Sequence, residues 1–158
     1  MTDLMSGARS ANTAADGGVL QQYGALPWRV GRRGKLEVVL ITSRTRGRWI
    51  LPKGWLAKGR TPAQSAAREA FEEAGVVGQP DSMPIGSYRY MKQRADGTVE
   101  PCDVTLFSLQ VHGTLLNWPE RHQRQRCRRP LHEAVDLIAE PELAQLLRSL
   151  QHNLQAFG

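Results

Sequence analysis

The sequence predicts an α/β fold in which helices pack on a mixed β-sheet. A β-branched apolar run at 36–42 precedes a strongly capped helix at 61–75, and further apolar segments lie between that helix and a helical C-terminal part. Strands on both sides of a helix, with another helix at the end, are typical of a sheet covered by helices. With 158 residues, 41% of them hydrophobic, the chain can form one domain with its own core.

We assign that domain to residues 20–158 and expect residues 1–19 to be a disordered or loosely attached tail. The tail is small and polar and lacks the hydrophobic region of a secretory signal. Cys102 and Cys127 form no metal-binding or disulfide pattern, so we expect reduced thiols in a cytoplasmic protein. No apolar run approaches the roughly 18 residues that a membrane span requires, and we expect no membrane partner.

The strands before the helix follow from apolar patterning. The segment from Leu20 to Val30 is β-like and ends at the turn sequence GRRGK. The continuous run at 36–42 is typical of a buried strand. After the basic loop SRTRGR, the sequence WILP predicts a short strand that ends at Pro52.

The helix has clear signals at both ends. Thr61 suits the N-cap, Pro62 the first helical position and Gln64 a capping box, while Gly75 suits the residue that ends the helix. Its apolar positions recur at helical spacing and define one face: Ala63, Ala66, Ala67, Ala70, Phe71 and Ala74.

Three strands and a helical segment should follow. Residues 85–91 and 104–111 predict strands of a hairpin that turns at Asp96 and Gly97. Residues 125–128 predict another short strand, and 131–154 a helical segment interrupted before Pro141.

The charge balance is basic. Lys and Arg total 21 against 15 Asp and Glu, a net charge of +6. Such a field attracts nucleic acid, nucleotides, inositol phosphates or polyphosphate, although it also serves solubility.

Three carboxylates crowd one side of the capped helix. Glu69 lies about one turn before Glu72 and Glu73, away from the alanine face. Like charges at these spacings cost about 0.2–0.5 kcal/mol per pair, and the last two face the negative end of the helix dipole. Arg68 offsets only part of this. A solvated acidic face is the simplest interpretation, but the position after a glycine-bearing loop of a basic protein favours a Mg²⁺ site.

The spacing resembles the Nudix box, G-x5-E-x7-R-E-U-x-E-E-x-G-U, in which U is aliphatic. The matching positions are Gly54, Arg68, Glu69, Glu72, Glu73, Gly75 and Val76. Ala70 is a small residue at the aliphatic position, and Arg60 replaces the first glutamate. Arg60 therefore either lowers metal affinity or rate, or serves as a phosphate contact.

This resemblance implies a Nudix-type α/β/α sandwich with a mixed sheet, in which the box forms a loop and a helix. It implies Mg²⁺, with Mn²⁺ as the substitute ion, held by Glu69 and Glu73 with a contribution from Glu72. It also implies that Arg68 orients a neighbouring glutamate. These four residues are our candidate catalytic residues.

The resemblance extends over about residues 23–137. The segments QYGALPWR, SRTRGRWILPKGW and NWPERHQRQR are similar to the diphosphoinositol polyphosphate phosphohydrolase branch, including its bacterial relatives. Members of that branch hydrolyse diphosphoinositol polyphosphates and dinucleoside polyphosphates. The resemblance implies these substrate contacts: Arg29, Ser43, Arg44, Lys53, Gly54 and Arg60, with Arg89 and Lys92 as additions.

We therefore predict a Mg²⁺-dependent pyrophosphohydrolase that cleaves a phosphoanhydride bond of a small polyphosphorylated substrate. A box glutamate or one from a later loop would accept the proton of water, and Glu100 and Asp103 are candidates for the later loop. The alternatives are a binding module with weak or no catalysis, which Arg60 supports, an RNA 5′-end pyrophosphohydrolase, and a nucleic-acid-binding protein, which RHQRQRCRR supports. Aromatic residues are scarce, at 6%, which disfavours nucleic acid other than an RNA 5′ end. The sequence specifies no oligomeric state.

Overall fold

The described residues, 18–153 and 157 of a computed structural model, form one eight-stranded sheet. Five strands follow one path across it, in the order β3 (Trp49–Ile50), β2 (Leu36–Thr42), β1 (Leu20–Val30), β7 (Val99–Thr114) and β5 (Val76–Pro80). Three more join it: β4 (Lys53–Gly54) pairs with β1, β6 (Gly86–Gln93) with β7, and β8 (Arg126–Pro130) with β2. Strands β1 and β7 are parallel and the other pairs antiparallel, which confirms the mixed sheet.

Helices cover both faces of the sheet, which confirms the α/β/α sandwich. Helix α1 (Pro62–Ala74) packs on one face through its alanines against Val39, Ile41 and Phe107. Helices α2 (Leu131–Leu137) and α3 (Pro141–Gln151) pack on the other. The core beneath them contains large aliphatic side chains: Leu26, Leu40, Val104, Leu106, Leu143 and Leu147. In the part of the chain that the structure describes, none of the helices could cross a membrane.

The predicted caps of α1 are confirmed. The Thr61 hydroxyl accepts a hydrogen bond from the Gln64 amide at 3.1 Å, and the Gln64 side chain accepts one from the Thr61 amide at 3.0 Å. Gly75 ends the helix with φ of 64°, a left-handed conformation that favours glycine. Phe71, which the helical spacing groups with the alanines on one apolar face, is 41% exposed and lies at the edge of the buried contact. It follows Ala70 by 100° around the helix and points off the sheet.

The remaining differences concern strand boundaries. The strands of the β6–β7 hairpin are longer than predicted, and β8 begins one residue later. Strands β4 and β5 are not predicted, because two residues carry no periodicity and VVGQP contains glycine and proline. The predicted tail at 1–19 lies outside the described residues except for its last two, of which Val19 is buried.

Candidate active site

A cleft of about 280 Å³ lies where β1, β4 and α1 meet. Its lining is rich in charged side chains from several elements: Gln22, Arg44, Ile50, Lys53, Gly54, Trp55, Glu69, Glu73, Tyr90, Lys92, Glu120 and Arg124. The fold therefore brings together two of the three box glutamates and several of the predicted phosphate contacts.

Gly54 determines where the Glu69 carboxylate lies. Strand β4 pairs with β1 so that Gly54 is opposite Tyr23 and Lys53 opposite Gly24. A Cβ atom on Gly54 would lie only 2.4 Å from the carboxyl carbon of Glu69. Glycine is therefore required here because the carboxylate packs directly on the backbone.

Glu73 is the more buried of the two carboxylates in the cleft, with 7% of the residue exposed. Its Oε1 accepts a hydrogen bond from the Lys53 amide at 3.3 Å, and its Oε2 lies 3.7 Å from Nη2 of Arg124. This differs from a solvated acidic helix face, because the carboxylate is enclosed by β4 and by the loop after β7.

Burial and mutual repulsion disfavour the ionised form of this pair. Burial raises the pKa of Glu69 to about 8, and the charge of Glu73 and a hydrogen bond with that side chain add to the shift. Burial also raises the pKa of Glu73, although the Arg124 guanidinium opposes the rise. Two adjacent carboxylates in such a place are stabilised in their ionised form by a bound cation.

Arg124 is a site residue that the sequence did not single out. Its side chain is 7% exposed and donates to Glu120 Oε1 at 2.8 Å and to the Thr42 carbonyl at 3.0 Å. It therefore joins two acidic side chains of the cleft, Glu73 and Glu120, to strand β2. The signal in the sequence was an i,i+4 Glu–Arg spacing within NWPERHQRQR, which also occurs on ordinary surfaces.

The loop after β7 also holds the C-terminal end of α1. Trp118 Nε1 donates to the Glu73 carbonyl at 3.0 Å, and Arg126 Nη1 donates to the Ala74 carbonyl at 2.8 Å. The Arg126 guanidinium lies 4.1 Å from the centroid of the Trp118 ring. The helix end that carries two glutamates is thus stabilised by a cation of the protein itself, which offsets part of the charge crowding.

Two lysines lie over the aromatic rings of the cleft. Lys53 Nζ is 4.6 Å from the centroid of Tyr90, and Lys92 Nζ is 5.6 Å from that of Trp55. Burial lowers the pKa of Lys53, while Glu140 and Glu73 raise it. The hydroxyl of Tyr90 donates to Gln22 Oε1 at 2.8 Å, which fixes the ring beneath the ammonium group.

The predicted phosphate contacts on and after the first strands divide between this cleft and other places. Arg29 is five residues beyond Gly24 on β1, or about 16 Å along an extended strand, and lines a different cleft. The Ser43 hydroxyl accepts from the Arg48 amide at 3.1 Å and so closes the turn before β3. Arg44 does line the cleft and is 3.4 Å from Gln123 Oε1.

The other charged residues of the box region, Arg60, Arg68 and Glu72, do not line the cleft. Arg60 and Arg68 line a groove between α1 and β5, together with Phe71. Arg68 Nε is 3.4 Å from Glu72 Oε2, so its ion pair is with a glutamate that does not line the cleft. The Glu72 carbonyl accepts from the Glu120 amide at 3.1 Å, which links it to the site through the backbone.

Of the acidic side chains that follow the box helix, the two predicted candidates lie outside the cleft. Asp103 forms an ion pair with Arg89 at 2.7 Å, and Glu100 forms one with Arg94; neither carboxylate lines the cleft. Glu120 does line it. The prediction of a later acidic side chain therefore fits Glu120 better than either residue of the hairpin.

A divalent cation fits the donors of this cleft. Among the described residues, no group of three or more His, Cys, Asp or Glu side chains is arranged to hold a metal ion. Mg²⁺, however, is usually bound by one or two carboxylates, with water and substrate phosphates as the other ligands. The adjacent pair of Glu69 and Glu73 matches that smaller requirement.

Comparison with known proteins identifies the family. The family described as NUDIX domain matches residues 24–150, so the chain belongs to the Nudix family. Nudix hydrolase 12, mitochondrial, of Arabidopsis thaliana is 35% identical over 106 residues, which are 65% of this chain and 52% of that protein. Diphosphoinositol polyphosphate phosphohydrolase 3-beta of Bos taurus is 33% identical over 85 residues, 53% of this chain and 48% of that protein. The chain thus spans about half the length of these relatives.

The fold comparison agrees. An Ap4A hydrolase of C. elegans superimposes with a TM-score of 0.61 at 24% sequence identity, covering 86% of this chain and 98% of that one. At this identity, the likeness supports the α/β/α sandwich.

Proposed function

We propose that the chain is a divalent-cation-dependent hydrolase that cleaves a phosphoanhydride bond of a small polyphosphorylated molecule. One observation carries the proposal: the adjacent carboxylates of Glu69 and Glu73 share a cleft with several cations. These are Arg44, Lys53, Lys92 and Arg124. Such a cleft suits a substrate with several negative charges, because one metal ion neutralises only part of them and the cationic side chains can bind the rest. The Nudix relatives named hydrolases agree with this activity.

Glu69 and Glu73 would hold Mg²⁺, or Mn²⁺ in its place. When bound, the ion lowers the pKa of water and neutralises charge on the leaving phosphate. A contribution from Glu72 remains a prediction, since its carboxylate faces Arg68.

The other groups bind the substrate and accept the proton. Arg44, Lys53 and Lys92 bind the phosphates that are not cleaved through charge-assisted hydrogen bonds. Glu120 is proposed to accept the proton of the attacking water, and Arg124 positions Glu120 through its 2.8 Å hydrogen bond.

We infer that the substrate is a diphosphoinositol polyphosphate or a dinucleoside polyphosphate. The name of the bovine relative supports the first. Both aromatic rings of the cleft have a lysine ammonium over them, which favours phosphate recognition over the stacking of a base. A cytoplasmic location and the absence of a membrane partner remain predictions.

The binding-module alternative depended on Arg60. That side chain lines the outer groove of α1, so the replacement leaves both carboxylates of the cleft in place. We therefore expect turnover in addition to binding.

The test is hydrolysis by purified protein with Mg²⁺, with Mn²⁺ and with EDTA. The substrates are diphosphoinositol phosphates, diadenosine polyphosphates and 5′-triphosphorylated RNA. Glu73→Gln should lower kcat/KM at least about 100-fold, because a metal ligand contributes several kcal/mol. Asp136→Asn, which removes an exposed carboxylate of α2, is the control. Near-normal activity of Glu73→Gln would contradict the proposal, and RNA as the best substrate would replace the proposed substrate class.

A further inference from the structure

We propose a second anion site, separate from the candidate active site, that binds a compact chain of phosphates. It is a cleft of about 510 Å³ at the far end of β1, where the β1–β2 turn approaches β8. Five cations line it: Arg29, Arg32, Arg33, Lys35 and Arg128. None of them lines the active-site cleft.

The charge of this second cleft is unbalanced. Besides the five cations, its lining contains two carboxylates, Glu37 and Glu133, so that three positive charges remain. This excess is half of the net charge of +6 that the whole chain carries. A concave surface with one sign of charge concentrates anions more strongly than a flat one does.

A hydrogen-bonded turn carries two of the cations. The Gly31 amide donates to the Lys35 carbonyl at 2.8 Å, and the Gly34 amide donates to the Gly31 carbonyl at 3.0 Å. Arg32 and Arg33 occupy the turn between these bonds and are exposed. Their backbone is therefore ordered before any ligand binds, which lowers the entropic cost of binding.

The acidic neighbours leave most of the cations free for a ligand. Glu37 forms an ion pair with Arg128, in which the Glu37 Oε1 lies 3.0 Å from the Arg128 Nε. The Glu37 carboxylate also packs against Gly31. Within residues 18–153, no hydrogen bond or ion pair involves the side chains of Arg29, Arg32, Arg33 or Lys35. Four of the five cations of this cleft thus have no acidic partner within residues 18–153, so their N–H groups are available to an anion.

The lining and the volume of the cleft favour a compact oligophosphate as its ligand. The lining contains no aromatic ring on which a base could stack. Its volume lies within the roughly 300–1,000 Å³ of small-molecule sites. An inorganic polyphosphate and the triphosphate of a nucleotide share this chemistry, and the cleft should not distinguish them. The two sites share no residue. The second anion site can therefore be absent while the hydrolase activity is present, and the hydrolase activity can be absent while the second site binds phosphates.

Calorimetric titration with tripolyphosphate and with ATP, in EDTA at low salt, tests the proposal. Binding at the second site should weaken at least about tenfold in Arg32→Gln/Arg33→Gln, because two charged donors are lost. The matched control, Lys58→Gln/Arg148→Gln, removes the same charge from other exposed positions and should retain wild-type affinity. Hydrolysis of the proposed substrates should be unchanged in the test variant.

Three results would overturn the proposal. The first is equal weakening in both double variants, which would indicate general charge attraction. The second is ATP binding at least about tenfold more tightly than tripolyphosphate at this site, which would require contacts to the base. The third is a mixed-sequence DNA duplex that binds more tightly than tripolyphosphate, with a steep salt dependence, and loses binding in the test variant. That result would make the turn a nucleic-acid surface.

Discussion

Among single residues, Gly54 has a direct effect on the candidate active site, because the Glu69 carboxylate packs against it. A methyl group there would overlap the Glu69 carboxylate, so Gly54→Ala should displace that carboxylate. Because misplacement by about 1 Å can cost 100-fold in rate, we expect a loss of about that size in kcat/KM, with weaker binding of Mg²⁺. Gly113→Ala, at a glycine whose Cβ would meet nothing within 4 Å, is the control. Equal activity of both variants would show that Glu69 can move without consequence.

Residues could be predicted where a fixed spacing identifies them. The crowding of charge on one helix marked the three box glutamates together. The resemblance to the Nudix box then singled out Glu69 and Glu73 among them and pointed to Lys53. Arg29 and Arg124 could not be placed, because their environment depends on contacts across the sheet. One arginine lies at the far end of a long strand, and the other is buried beside Thr42, which is 82 positions earlier in the chain.

At the level of secondary-structure elements, we expect the stability of helix α1 to depend on the glycine at its C-terminal end. Gly75 has φ of 64° and a Cβ on it would lie 2.7 Å from the Trp118 ring, whereas Gly97 has φ of 88° with nothing within 4 Å. Alanine at either position should cost about 1–2 kcal/mol for the left-handed backbone. Gly75→Ala should lower the free energy of unfolding further, because Trp118 must also move.

Urea denaturation of both variants measures this difference. An equal loss of stability in Gly75→Ala and Gly97→Ala would show that the contact between Trp118 and the helix end contributes nothing.

Elements were predictable where local signals agree. The ends of α1 are set by its capping box and glycine, and β2 by a run of branched apolar residues. Strands β4 and β5 exist only because of their neighbours: β4 pairs with β1 at two residues, and β5 lies along the edge of β7. A segment of two to five residues is too short to show a periodic sequence pattern that would predict such pairing.

The buried acid pair should make the stability of the whole molecule depend on pH. Burial raises the pKa of Glu69 from 4.5 to about 8, so the folded state holds a proton that the unfolded state has released. In EDTA, the contribution of this group to stability should therefore be fully present below about pH 4.5 and be lost as pH rises to about 8. Added Mg²⁺ should reduce the loss at the upper end, since it stabilises the ionised pair.

Melting temperatures measured from about pH 5 to about pH 8, with and without Mg²⁺, test this effect. The Glu69→Gln protein should show a flatter dependence. A wild-type melting temperature that rises across this range in EDTA would contradict the assignment.

The contacts of the loop after β7 decide where the chain tolerates added sequence. The Leu115 amide donates to the Gly75 carbonyl at 2.8 Å, and Arg126 Nη1 donates to the Ala74 carbonyl at 2.8 Å. Residues 115–126 are therefore fastened to α1 at both ends, and an inserted tag or label there would disturb the acidic pair. The turn of the β6–β7 hairpin bonds mainly within itself, with the Arg94 amide donating to the Thr98 carbonyl at 2.7 Å. A fluorophore or affinity peptide is better attached at 95–97, since none of these residues lines the candidate active site.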